Sequence, residues 1–195
     1  MSVDLIVKKV EEDAQPTVYD VNPFVRDKNA EGMDFEINVV ADVIQNFRKK
    51  AVVSNTLPGW GSFQMITDEG KVTNLGDDTA PSPLHYFTVG SAFCLMSHLL
   101  VAMKTLKLDI KDMRIEMRIK YHTAFNAFGT KQAHPSEMLG WPTLQETHVI
   151  IESDESEEDI ANMVKWSCNA CIAEAALRNE TPVESHAHLN GKQIS

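Results

Sequence analysis

Three cysteines and seven histidines are the side chains of this 195-residue chain best suited to nucleophilic or redox chemistry. Cys94 and His98 lie four residues apart in "SAFCLMSHLL" (91–100). On a helix that spacing puts both on one face, and a histidine beside a cysteine stabilises the thiolate, which is the reactive form. The competing role for Cys94 is packing, because free cysteine behaves as a small, commonly buried hydrophobe. Cys168 and Cys171 form a Cys-x-x-Cys in "SCNACIAEA", a spacing found in redox motifs and in half of a zinc site. Such a zinc site wants four ligands, and the chain has no second Cys-x-x-Cys. His186 and His188 suit a solvated strand face better than a metal. No metal ligand set and no cofactor are therefore expected. There is also no Gly-rich phosphate loop and no G-x-S-x-G elbow.

These residues need elements to hold them. "APSPLHYFTVGSAFCLMSHLL" (80–100) predicts a helix from about Ser82 to Lys107, on the order of 35–40 Å long. Pro83 suits its first turn, where the missing N–H costs nothing. Residues 86–103 carry no Asp, Glu, Lys or Arg. Gly90, Ser91, Ser97 and His98 interrupt that run, so it reads as a buried central helix and not as a membrane span.

Before it, "FEINVVADV" alternates as a strand, "KKAVVSN" offers an antiparallel partner, and "LPGWGSFQMITDEG" reads as turn, strand, turn. After it, "DMRIEMRIKYH" sets Met113, Ile115, Met117, Ile119 and Tyr121 against Arg114, Glu116, Arg118 and Lys120, and "LQETHVIIES" is its expected partner. The long connector at 123–142 suggests a lid or a dimer contact. Ser156 and Asp159 mark the start of a last helix. If that helix runs on, Cys168 and Cys171 share its buried face. "TPVESHAHLNG" alternates as a closing strand. This order predicts an α+β fold, mostly antiparallel sheet packed on helices. Residues 1–34 read as a surface extension and 35–195 as one domain.

Net charge is −10, and no basic cluster exceeds "RKK" at 48–50. Nucleic acid and anionic membranes are thereby disfavoured as partners. An odd cysteine count and charges at the N-terminus predict reduced thiols in a cytoplasm, with no signal peptide.

The segment "DDTAPSPLHYFTVGSAFC" resembles the OsmC/Ohr family of osmotically inducible and organic-hydroperoxide-resistance proteins. That family has an Asn/Ser-Pro turn before a long central helix, and a cysteine eleven residues after the proline. Pro83 and Cys94 keep the interval. "MKTLKLDIKDMRIEMR" is similar to the family's helix-to-strand continuation, and "CIAEAALRNETPVE" to the short helix opened by its second cysteine. The resemblance covers about residues 35 to 190. It implies an OsmC-like fold and an intertwined homodimer with central helices packed together. It also implies a thiol peroxidase for organic hydroperoxides, recycled by an external dithiol. Cys94 would then be the peroxidatic nucleophile and Cys171 the resolving thiol, with Cys168 a second candidate for that role.

The family's peroxidase branch carries a Glu directly after the proline, where this chain has Leu84. Broader branches carry Glu one place later, at His85 here. The activating Arg would come from the N-terminal hairpin, where Arg48 is the nearest candidate and Arg26 stands behind it. Ile172 and Glu174 replace the proline and serine that usually follow the second cysteine. Two other readings use the same residues. One is a thiol hydrolase or transferase acting on a small molecule through Cys94 with His98 or His85. The other is a non-catalytic ligand-binding dimer whose thiols are core.

Overall fold

The computed structural model describes residues 5–13, 32–71, 76–123, 139–178 and 181–194. They fall into two compact units that divide within the central helix, between Tyr86 and Phe87.

The first unit is built on an antiparallel sheet of four strands, β1 (Val7–Val10), β2 (Ile37–Gln45), β3 (Arg48–Asn55) and β4 (Ser62–Thr67), in the order β1-β4-β3-β2. β2 and β3 form the expected hairpin, Val40 opposite Val52, closed by a turn in which Asn46 takes φ 52°. β1 is not readable from its four residues. It lies in the segment expected to be a surface extension, and becomes a strand by pairing Val7–Val10 with Met65–Ser62 of β4. Val52 and Ile66 are buried, whereas Ile37, Val39 and Val43, the apolar face of β2, lie open.

Between β4 and the helix the chain folds around one carboxylate. Asp68 is buried and accepts hydrogen bonds from the Thr79 hydroxyl (2.7 Å), the Thr79 amide (3.1 Å), the Glu69 amide (2.8 Å) and the Asp77 amide (3.3 Å). These bonds, led by the Thr79 hydroxyl, outweigh burial and hold its pKa down at about 2. Gly76 is needed here: a Cβ would meet the Glu69 carbonyl and come within 2.6 Å of Asp68 Oδ1.

Helix α1 (Pro83–Leu106) follows. It opens on one half of a capping box, with histidine in place of the usual acid or amide. The Ser82 amide donates to His85 Nδ1 at 3.0 Å, while the His85 amide makes a first-turn bond to the Ser82 carbonyl. Tyr86 ties this first turn to β4 through its hydroxyl, which donates to the Ile66 carbonyl at 2.6 Å. At the far end Lys107 turns left-handed (φ 58°), and the Leu108 amide reaches the Met103 carbonyl in a Schellman closure.

The second unit carries the main hydrophobic core. β5 (Ile110–Thr123) and β6 (Gly140–Ser153) pair antiparallel, Met113 opposite Ile151 and Ile115 opposite Val149. Arg114, Glu116 and Arg118 stay exposed, as the alternation requires. Because both strands outrun their expected ends, the predicted 123–142 connector is shorter. Its remaining residues, 124–138, and the lid or dimer role suggested for them lie outside the described residues.

α2 (Glu157–Ala170) starts at Ser156, whose hydroxyl accepts from the Asp159 amide at 3.1 Å. Leu95 and Leu99 of α1 meet Met163 of α2 in a buried cluster, walled by Met113, Ile115, Val149 and Ile151.

Three expectations change. α1 is buried only along Ser91, Leu95 and Leu99, while Phe87, Val89, Phe93, Leu100 and Val101 are exposed. One chain supplies packing partners for one stripe of an all-round apolar helix, not for all of it. α2 does not run on past Cys171, whose backbone (φ −69°, ψ 110°) is extended, and a separate helix α3 (Ile172–Arg178) follows. Cys171 is therefore fully buried while Cys168, back on α2, is only partly so. Finally, Thr181–Ala187 form no strand. The chain instead makes a two-residue hairpin, β7 (His188–Leu189) with β8 (Lys192–Gln193), because Asn190 and Gly191 both take positive φ (51° and 82°). α1 is also the one helix among the described residues long and apolar enough to cross a membrane; its Leu95 and Leu99 pack in the core of the second unit.

Candidate active site

Cys94 and His98 stand on neighbouring turns of α1, each one residue ahead of a core leucine, and are half-buried. Cys171 comes from the joint between α2 and α3. Its sulfur, that of Cys94 and a ring nitrogen of His98 lie within 4.8 Å of one another. Residues far apart in sequence are thus brought together by the packing of α1 against α2.

The three groups are held differently. His98 Nδ1 is 2.8 Å from the Cys94 carbonyl and 4.0 Å from the Cys94 sulfur. A carbonyl only accepts, so Nδ1 carries the hydrogen and donates it to the backbone, leaving the thiol a long, weak contact. Cys171 caps α3: the Ala175 amide donates to its carbonyl at 2.9 Å, and the Glu174 amide donates to its sulfur. Burial raises the pKa of the Cys171 thiol. The Glu174 amide pulls the other way, and the neighbouring Cys94 adds to the rise. Cys171 is therefore a protonated thiol near neutrality.

Cys168 is raised mainly by burial, and by the Glu174 carboxylate, with Arg178 opposing. Arg178 is the site residue that the sequence did not single out. Its Nη2 donates to the Cys168 carbonyl at 2.6 Å and stands 3.7 Å from Glu174. The only sequence signal is the Glu174–Arg178 spacing on α3, one helical turn. Beside it a groove of about 230 Å³ is lined by Gln145, Thr147, Glu174, Leu177 and Arg178, and neither Cys94 nor Cys171 lines it.

The other expected site residues sit in the first unit. Arg48 begins β3, half-buried, its Nε without a partner among the described residues. His85 is exposed and its ring is engaged by the start of α1, 2.9 Å from the Ser82 hydroxyl.

The chain matches the OsmC-like protein family over residues 76–186, more than half its length. It belongs to the OsmC/Ohr family. Solved structures agree on the fold. The OsmC-like hydroperoxide resistance protein from Jannaschia sp. CCS1 is 21% identical, with a TM-score of 0.51, covering 82% of this chain and 97% of that one. The OsmC-like protein from Mycoplasma pneumoniae is 17% identical, with a TM-score of 0.53, covering 75% and 89%. An organic hydroperoxide resistance protein from Elizabethkingia anophelis, 15% identical, superposes with a TM-score of 0.50 over 76% and 91%. A search of curated proteins returns no match.

Proposed function

We propose that this protein is a thiol-dependent peroxidase that reduces organic hydroperoxides. The observation that carries the reading is the approach of the Cys94 and Cys171 sulfurs to within 4.8 Å in a chain of this family. The names of two fold relatives, a hydroperoxide resistance protein and an organic hydroperoxide resistance protein, point the same way.

Half-buried Cys94 meets the substrate. Its thiolate attacks the outer peroxide oxygen, the O–O bond breaks, and the alkoxide leaves as the alcohol after taking a proton from solvent. Cys94 is then a sulfenic acid. Cys171, protonated until this point, loses its proton and attacks the Cys94 sulfur. An S–S bond forms, the S–O bond breaks, and water leaves. An external dithiol reduces the disulfide. Cys171 takes the resolving role ahead of Cys168 because it is the thiol in contact with Cys94. The His85 ring is engaged by Ser82 at the start of α1 and is assigned no role in the chemistry.

The exposed apolar residues of α1, Phe93 (68% exposed) and Val101 (64%) above all, support a homodimer in which copies cover each other's helices. Three unpaired cysteines support a reducing, cytoplasmic setting.

Stopped-flow mixing of the reduced chain with cumene hydroperoxide tests the proposal. Wild type should consume one peroxide per chain and form a Cys94–Cys171 disulfide seen by peptide mass mapping. Cys94→Ser should react at the rate of the buffer control, and Cys171→Ser should stop at the sulfenic acid. A Cys94 no faster than a free thiol would refute the reading.

A further inference from the structure

Cys94, His98 and Cys171 are also a set of metal donors, and we propose that in the reduced chain they bind a thiophilic divalent cation, zinc, through two thiolates and one imidazole. The two sulfurs and one ring nitrogen lie within 4.8 Å of one another. A tetrahedral zinc ion, with bonds of about 2.0–2.3 Å, holds such donors roughly 3.3–3.8 Å apart. Side-chain ends therefore need to close by about 1–1.5 Å.

The arrangement of the donors favours the same conclusion. Cys94 and His98 are four residues apart on α1, the spacing by which helical metal motifs place two ligands on one face. Cys171 supplies the third ligand from a separate element, fully buried and fixed by its capping bonds to α3. The 2.8 Å contact with the Cys94 carbonyl holds the His98 ring beside the sulfurs. Two sulfurs and an imidazole, with no carboxylate in the set, select zinc over magnesium or calcium. Cys94 and His98 are half-exposed, so the ion has a way in and its fourth position is open to water or a small thiol. Binding takes both sulfurs as thiolates and releases their protons. Neither sulfur is then free to attack, so metal and electrophile compete for one site. The inference rests on the positions of the donors and not on the peroxide chemistry.

The test uses the full reduced chain, stripped of metal and kept anaerobic. Titration with Co²⁺ should give thiolate-to-cobalt charge-transfer bands and tetrahedral d–d bands at one ion per chain, and Zn²⁺ should abolish both. Zn²⁺ should slow alkylation of Cys94 about tenfold or more, whereas Mg²⁺ should not. Cys94→Ser, Cys171→Ser and His98→Asn should each weaken binding about tenfold or more, with Cys168→Ser unchanged. The proposal is overturned if zinc leaves Cys94 alkylation untouched, if His98→Asn binds as tightly as wild type, or if Cys168→Ser abolishes binding. Zinc protection of Cys94 in the unmutated chain decides the matter even where a core variant does not fold. Peroxide turnover of the metal-free chain, run in parallel, separates the two proposals. Turnover without zinc binding sinks only this one, and zinc binding without turnover sinks only the peroxidase reading.

Discussion

Replacing Asp68 by Asn should loosen the approach to α1, and the size of the effect follows from four hydrogen bonds. In the native chain both oxygens accept, Oδ1 from the Glu69 amide and Oδ2 from the amides of Asp77 and Thr79 and the Thr79 hydroxyl. An amide side chain keeps one oxygen and turns an NH₂ group toward at least one of those donors. A carboxyl pKa lowered from 3.8 to about 2 corresponds to at most about 2.5 kcal/mol of stability. Asp68 is closed to solvent but its partners Asp77 and Thr79 are exposed, so screening trims this to about 1–2 kcal/mol.

The sign is fixed by the direction of the change. Because the folded pKa lies below the unfolded one, the contribution is complete above about pH 5. It declines as pH falls through 3.8, is mostly lost by pH 2, and is gone only near pH 1. Urea unfolding of wild type and Asp68→Asn, followed by circular dichroism from pH 7 down to pH 2, measures it. The gap should be about 1–2 kcal/mol at pH 7 and should close on acidification. A gap below about 0.5 kcal/mol at pH 7, or one that does not change with pH, would refute the reasoning.

Other outcomes can be checked with the same tools. Gly76→Ala should cost about 1–3 kcal/mol in urea unfolding, since the new methyl meets backbone and the Asp68 carboxylate. Added to Asp68→Asn it should cost less than the sum, because both act on one loop. His85→Ala should lower the melting temperature through about 0.5–2 kcal/mol of lost capping, and His85→Gln, which can rebuild the box, should restore it. Peroxide turnover should be unchanged in His85→Gln if the ring serves only the helix start. In a Cys94→Ser/Cys168→Ser double variant, iodoacetamide labelling of Cys171 should stay slow through neutral pH. It should accelerate only above the ordinary thiol range, since burial is the main cause of its raised pKa.

The strands and the central helix are legible because their side chains carry the period of the element. Met113, Ile115, Met117 and Ile119 alternate with charges, and that alternation fixes which face of β5 is covered. Pro83 and Ser156 mark starts that the structure keeps. The pairing of Cys94 with His98 is legible for the same reason, as one helical turn. Other features depend on tertiary partners and leave no local trace. Val7–Val10 is too short to show a period and is a strand only because β4 offers an edge. The break at Cys171 is invisible because Ile160 to Ala175 keeps helical spacing straight through it, and an extended ψ is set by packing and not by that residue's type. The same break brings Arg178 back to the Cys168 carbonyl, a contact no spacing rule along one helix contains.

On α1, Ser91, Leu95 and Leu99 form one stripe, and Cys94 and His98 run beside it, each one residue earlier and so rotated by about 100°. Oil and chemistry are printed on the same cylinder in fixed phase. An insertion or deletion of one residue between Ser91 and Leu99 would swing part of both stripes at once, exposing a leucine as it misdirects the thiol or the imidazole. Point substitutions can retune the site, but changes in length cannot drift into it unnoticed, because a loss of stability reports them. The helix therefore works as a reading frame that ties the survival of the fold to the aim of its cysteine.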